Sequence, residues 1–295
     1  MGAKACTECH GKEVDAWRAT KHYKTFDALE DSDKAVEIAD ALGVDDLTSD
    51  SLCIECHYTL QKVGAKNVAI SGISCESCHG ASKNWIEEHN KETLSRAARQ
   101  AVAEKGGMIY PQDLYAVARN CFDCHVVSRE ELVNKGGHPA FSKDFDLYSW
   151  SQGEVRHSFM TAASPVKKAG EVNRAASPEH RRMLFMVGKL LNLEYSLRAI
   201  GNATAKNPYA VQHVGHFFAL IKEVDELNKL APTAEVTEIV KFARSLTKPN
   251  QIKTKNGPKL KAASDKISKL SQKFAKNDGS KLTKLDSKIP ALKKP

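Results

Sequence analysis

The chain has 295 residues, of which 27% are charged. No run approaches the roughly 18 apolar residues of a membrane span, so we expect no transmembrane segment. The formal net charge of +8 is uneven, because residues 248–295 hold 14 lysines against three aspartates and the rest of the chain sums to −3. Because these lysines come without arginine clusters or interleaved aromatic residues, we also expect no nucleic-acid binding.

Four copies of one short motif account for all eight cysteines. Each copy reads Cys-x-x-Cys-His, the attachment signature of c-type haem, in which both thiols bind the porphyrin and the histidine binds the iron. A four-thiolate zinc site or a thioredoxin-like redox pair needs no histidine after the second cysteine, and iron–sulfur clusters use other cysteine runs. The sequence therefore predicts four covalently bound haem c groups. The attachment cysteines are Cys6, Cys9, Cys53, Cys56, Cys75, Cys78, Cys121 and Cys124, and the iron ligands are His10, His57, His79 and His125.

Helix signals follow these motifs along the chain. We predict one helix from Gly11 to about Leu29, one around residues 34–42 that stops at Gly43, and one over residues 82–105 that stops at Gly106. A short helical piece is expected near residues 112–119. Residues 126–160 show little periodicity.

The C-terminal part has clearer helix starts. Ser177-Pro178 and Asn207-Pro208 each place a capping residue before a proline, and Thr233 begins a third helix. These helices are expected to end near Asn202, Leu230 and Pro249. No strand signal is strong, so the predicted fold class is all-α with extensive irregular loops, in which the haems form much of the core.

The composition divides the chain into three predicted domains. Residues 1–165 form a tetrahaem cytochrome domain, residues 166–248 a helical domain, and residues 249–295 a lysine-rich tail with one amphipathic helix. The tail has two interpretations. In the first, the tail is solvated or packs onto the body through its apolar stripe and has no further role. In the second, its lysines attract an acidic partner or a neighbouring subunit, and one helical face can pack while the other serves this role.

Each haem iron has two axial positions, of which the motif fills one. Residues 1–160 hold four motifs and four further histidines, so each iron can have a second imidazole. These candidate ligands are His22, His89, His138 and His157. Met108 and Met160 are the alternative ligands. The histidines of the C-terminal helices, His180, His213 and His216, are interpreted as ordinary surface or core residues.

The spacings resemble those of the tetrahaem cytochrome c-554 family over roughly residues 1–160. His22 closes a Trp-x-x-Thr-x-His segment after the first motif, His89 lies ten residues after His79, and a further histidine follows the fourth motif. The resemblance implies that His22 binds haem IV, His89 binds haem I and His157 binds haem III. Haem II of that family lacks a strong distal ligand, whereas this chain offers His138, which we expect to bind there.

These features predict an electron carrier without catalytic residues. Its partners would be redox proteins, such as a dehydrogenase or other cytochromes. Because haem c is attached outside the cytoplasm, we expect a periplasmic or extracellular location and an export signal that this numbering omits. Two alternatives stay open: an enzyme acting on small nitrogen or sulfur compounds at an open haem II, and a self-associating subunit of an extracellular cytochrome filament.

Overall fold

The computed structural model describes residues 1–49, 51–142, 144–159 and 173–292. By packing, the chain divides into two compact units. The first contains residues 1–120 and 154–175, and the second contains residues 121–153 and 176–295. The domain boundaries expected near residues 165 and 248 stay predictions, because close packing and independent folding are different properties.

The first unit consists of short helices joined by irregular chain, with one β-hairpin. Its helices are α1 Gly11–Arg18, α2 Lys21–Ala28, α3 Asp33–Leu42, α4 Ser51–His57, α5 Cys75–His79, α6 Arg96–Lys105 and the first turns of α7 Leu114–His125. The hairpin pairs β1 Thr59–Val63 with β2 Lys66–Ser71 in antiparallel register. The all-α fold class is confirmed, since this hairpin adds only two short strands.

Two helix predictions for this unit are wrong in detail. The helix expected over residues 11–29 is interrupted after α1, because the Thr20 hydroxyl accepts the N–H of Tyr23 at 3.2 Å and starts α2 as a new helix. The helix expected over residues 82–105 is regular only in α6, where Ser95 provides the cap. The predicted stop at Gly43 is confirmed by its left-handed conformation.

The β-hairpin was missed by the sequence prediction. It turns at Gly64, whose φ of +61° favours glycine, and it connects the second haem motif to the third. Thr59, at the start of β1, is 3% exposed. Its hydroxyl lies 2.7 Å from the Gly72 carbonyl and 2.9 Å from the Ser74 hydroxyl, which fixes the end of the hairpin beside α5.

The second unit is a helical assembly with an apolar core. Its helices are α8 Glu130–Asn134, α9 Leu147–Ser151, α10 Pro178–Asn202, α11 Pro208–Leu230, α12 Ala234–Leu246 and α13 Gly257–Phe274. The three predicted helix starts are confirmed, since the Ser177, Asn207 and Thr233 side chains each accept a backbone N–H three residues later. Among the described residues, no helix is both long enough and apolar enough to span a bilayer.

The lysine-rich tail is packed into this second unit. Helix α13 lies against α10 and α12, and Leu260, Ile267 and Phe274 are fully buried. Beyond it, Arg182 of α10 holds Asp286 through two contacts of 2.7 Å. The tail therefore closes the core of the helical assembly and is not merely solvated, while the attraction of a partner by its lysines stays a prediction.

The core of this unit includes one buried histidine. His213 on α11 is 0% exposed, and neither ring nitrogen has a hydrogen-bond partner of good geometry. Burial, reinforced by the neighbouring His216, lowers the pKa of His213 to about 4, although the Val127 backbone opposes the shift. The folded protein therefore holds this imidazole neutral at pH values where an unfolded chain would protonate it.

We predict that His213 makes the helical assembly sensitive to acid. The unfolded chain binds the proton near pH 6.5 and the folded chain only near pH 4, so the free energy of unfolding falls as pH decreases between these values. The full loss is roughly 3 kcal/mol. His213→Phe should remove this component in urea titrations followed by circular dichroism. Phe217→Leu, a core change without a titrating group, should shift stability equally at all pH values.

Candidate haem-binding sites

The four haem motifs share a helical local geometry. Three of them end a helix at their histidine: α4 at His57, α5 at His79 and α7 at His125. In the first motif the His10 N–H donates to the Cys6 carbonyl at 2.9 Å, which is also the helical pattern. Residues i, i+3 and i+4 of a helix lie on one face, so the two thiols and the imidazole of each motif point to one side. That is the arrangement that a single porphyrin requires.

Two pairs of histidines face each other in the first unit. The ring centres of His10 and His89 are 6.2 Å apart, and those of His79 and His157 are 6.3 Å apart. With about 2 Å from metal to nitrogen and about 1 Å from nitrogen to ring centre, two imidazoles on opposite sides of one metal ion are about 6 Å apart. Both pairs thus have the spacing that two axial ligands of one iron need.

Backbone carbonyls orient three of these four rings. Because a carbonyl oxygen can only accept, each Nδ1 carries the proton and each Nε2 keeps its lone pair. This is the tautomer required of a histidine that binds iron through Nε2. The Nδ1 partners are Ile109 for His79 at 3.2 Å, Ile86 for His89 at 2.6 Å and Val155 for His157 at 2.6 Å.

Burial favours the neutral form of two motif histidines in the first unit, His10 and His79. It is the largest cause of the lowered pKa of His10 and of His79, and the nearby His157 lowers both further. Glu13 opposes the shift at His10, and the Ile109 carbonyl opposes it at His79. Neutral imidazole is the form that binds a metal ion.

The first and third motifs lie side by side. The thiols of Cys6 and Cys75 are close enough to hydrogen-bond, and this bond lowers the pKa of Cys6 to about 7 and raises that of Cys75. These two residues are the first attachment cysteines of their motifs. The porphyrins held by these motifs would therefore be neighbours, with the edges bound to Cys6 and Cys75 close to each other.

His22 is held in place by the Trp-x-x-Thr-x-His segment. The Trp17 indole donates to the Ile73 carbonyl at 2.7 Å, and Thr20 caps the helix that carries His22. A Cβ on Gly72 would lie 2.4 Å from the His22 carbonyl oxygen, so only glycine allows this close approach. The segment thus fixes His22 against the chain that enters the third motif.

The fourth motif and His138 both belong to the second unit. His125 contacts the Ser142 hydroxyl through Nδ1 at 2.9 Å, and its ring stacks on Phe145 with centres 4.2 Å apart. The Nδ1 of His138 contacts the Pro139 carbonyl at 2.8 Å. The structure thus places His138 in the unit of the fourth motif, whereas the second motif is in the other unit.

The remaining candidates are arranged differently. His216 uses Nε2 to contact the Asn192 side chain at 3.0 Å, so the nitrogen of a typical haem ligand is engaged. Met160 lies outside the described residues. Within those residues no group of three or more His, Cys, Asp or Glu side chains is arranged to hold a metal ion.

Residues 5–80 match the family described as cytochrome c554 and c-prime. Over these residues the chain is similar to the cytochrome c-554 family. A curated relative, cytochrome c-554 of Nitrosomonas europaea, is 29% identical over 142 residues, which cover 42% of this chain and 57% of the relative. The chain thus spans somewhat over half the length of that relative. No solved structure matches the chain.

The family resemblance predicted from the motif spacings is confirmed over this region. The matched residues include His22 and the first three haem motifs, and they end at Gly80. Within residues 5–80 the chain therefore resembles a c-type cytochrome, a class that binds haem covalently and serves electron transport. The number of haems and the identity of each axial ligand stay predictions.

Proposed function

We propose that the protein is a tetrahaem electron carrier whose first and third haems are each closed by two histidines. The two histidine pairs carry this proposal. His10 with His89, and His79 with His157, have the spacing of axial ligands. The family resemblance assigns the same distal histidines to haems I and III.

Closed irons favour electron transfer over catalysis. When bound, each haem c supplies one-electron chemistry by cycling between ferric and ferrous iron. His89 and His157 occupy the positions where a substrate would otherwise bind. The carbonyls of Ile86 and Val155 hold these rings in one orientation, which limits the rearrangement that accompanies a change of charge.

The contact between Cys6 and Cys75 supports electron exchange within the first unit. Since the two cysteines anchor different haems, their closeness brings haems I and III into a neighbouring pair. We propose that this pair is one electron-transfer step of the protein. His22 and His138 stay predicted ligands of haems IV and II, and a periplasmic or extracellular location stays the expected setting.

We further propose that an acidic redox protein docks on the lysine-rich tail. Two of the three aspartates of the tail are paired with arginines, Asp265 with Arg198 and Asp286 with Arg182. Most tail lysines are exposed, so this surface is strongly positive. Such a surface attracts negatively charged partners and raises their encounter rate.

The haem content is the first test. The intact mass should exceed the 32.4 kDa chain by four haem groups, and acid–acetone should extract none of them. The reason is that two thiols of each motif bind each porphyrin covalently. A smaller mass increase, or zinc in place of haem, would contradict the proposed cofactor content.

The axial ligands form the second test. His89→Ala and His157→Ala should each convert one low-spin iron to high spin in EPR and absorption spectra, while the mass still shows four haems. His180→Ala, in the second unit, is the control and should leave the spectra unchanged. If either ligand variant keeps the native spectrum, that histidine does not bind iron.

His138 tests the enzyme alternative. If it binds haem II, His138→Ala creates one high-spin iron that takes up cyanide. A native protein that already contains a high-spin iron would instead favour an open site and catalysis there.

The third test concerns the tail lysines. Truncation at residue 248 would remove α13 and expose the core of the helical assembly, so charge neutralisation is the better change. When four tail lysines become glutamine, the rate of electron transfer from an acidic flavodoxin should fall roughly tenfold at low ionic strength. The rate of this variant should also depend less on salt concentration than the native rate does. The four changes are Lys269→Gln, Lys276→Gln, Lys281→Gln and Lys284→Gln.

The matched control removes four exposed lysines from the first unit. These are Lys12, Lys24, Lys62 and Lys66, each changed to glutamine. The control has the same loss of charge and should keep most of the native salt dependence. Identical salt curves for the two quadruple variants would show that the tail is not the docking surface.

A further inference from the structure

Each haem motif carries one acidic residue between its cysteines, but the surroundings of these residues differ. Glu8 and Glu55 are exposed. Asp123 accepts a hydrogen bond from the Tyr195 hydroxyl. In contrast, the Glu76 side chain of the third motif is only 8% exposed. A buried carboxylate costs free energy unless it is hydrogen-bonded, so its surroundings must stabilise its charge.

Three hydrogen bonds from nearby residues stabilise this carboxylate. Glu76 accepts the N–H of Gly2 at 2.6 Å, the N–H of Ser82 at 2.7 Å and the hydroxyl of Ser82 at 2.7 Å. Burial by itself raises the pKa of Glu76, but these donors outweigh it and lower the pKa to about 2. Glu76 is therefore an anion throughout the neutral pH range.

The Met1 ammonium offsets part of this charge. It lies 3.1 Å from Glu76 and belongs to an exposed residue, whose side chain is 42% exposed. Water therefore screens the ammonium more than it screens the buried carboxylate. A net negative field remains on the protein side of the pair.

This charge lies next to two haem motifs. Glu76 directly follows Cys75 and precedes His79 by three residues in the third motif. It also accepts the N–H of Gly2, which precedes Cys6 of the first motif by four residues. One buried anion is thus close to the attachment points of haems I and III.

We infer that Glu76 lowers the reduction potentials of haems I and III. Ferric iron carries one more positive charge than ferrous iron, so a nearby anion in a water-poor region stabilises the ferric state. Local charge and solvent exposure are among the factors that set haem potentials. This inference rests on the proposed function, because it requires haem at both motifs.

Glu76→Gln removes the charge and keeps part of the hydrogen bonding. The remaining amide oxygen can still accept from both groups of Ser82, while the negative charge and the acceptor of the Gly2 N–H are lost. Glu55→Gln is the matched control, since Glu55 also lies between the two cysteines of its motif but is exposed to water. A residue that only tied the chain together would not raise the potentials of two haems when it is replaced by glutamine.

The measurement is a spectroelectrochemical titration of the purified four-haem protein. In Glu76→Gln, two of the four one-electron reduction potentials should rise by about 59 mV. At a fixed applied potential, this shift changes the ratio of oxidised to reduced haem about tenfold. The other two steps, and all four steps of Glu55→Gln, should move far less. Four attached haems with unchanged potentials in Glu76→Gln would overturn the inference.

Ser82→Ala provides a second measurement in case Glu76→Gln does not assemble with four haems. It removes one donor and leaves the carboxylate charged, so the same two steps should shift to lower potential by a smaller amount. If these two reduction potentials stay unchanged or rise in Ser82→Ala, the inference is wrong. Absence of haem from the native protein would instead refute the proposed function, so the two failures are distinguishable.

Discussion

On the proposed ligation, the first unit depends on one geometric constraint, which is that two imidazole rings must lie about 6 Å apart to share an iron. Meeting it twice requires four distant parts of the chain, near residues 10, 79, 89 and 157, to converge. Long helices would hold these parts in rigid, separate positions. The unit instead uses short helices and irregular segments, in which backbone carbonyls orient three of the four rings.

The second unit follows a different principle. Its long helices bury Leu190, Phe217, Ile239 and Ile267 in a continuous apolar core, to which α13 contributes one side. Apart from its one haem motif, this unit is ordinary helical packing. The lysines belong to the outer face of that packing, so the same segment stabilises the core and presents positive charge.

Local signals explain which elements could be predicted from the sequence. The starts of α10, α11 and α12 depend on a cap and the residues beside it, so they were predicted correctly. The hairpin and the chain around Ser82 depend on distant groups. Thr59 bonds across to the start of α5, and the Ser82 N–H is held by Glu76. No local pattern contains these partners.

The distinction between local signals and contacts with distant residues also applies to the candidate haem-binding sites. The motifs specify cysteines and proximal histidines by spacing alone. The distal histidines required a family resemblance, because His89 and His157 are separated from their partners by most of the unit. Glu76 was not predicted, since three other acidic residues occupy similar motif positions and only the fold shows which one is buried.

The paired histidines also have a consequence for the chain as a polymer. On the proposed ligation, one iron joins residues 10 and 89 and another joins residues 79 and 157, so each cofactor closes a loop of nearly 80 residues. Cross-links of that span reduce the entropy of the unfolded chain by an amount worth roughly 4 kcal/mol each. The haems would then act as cross-links, completed by the coordinate bonds of His89 and His157 to iron, in a unit of short helices and irregular chain.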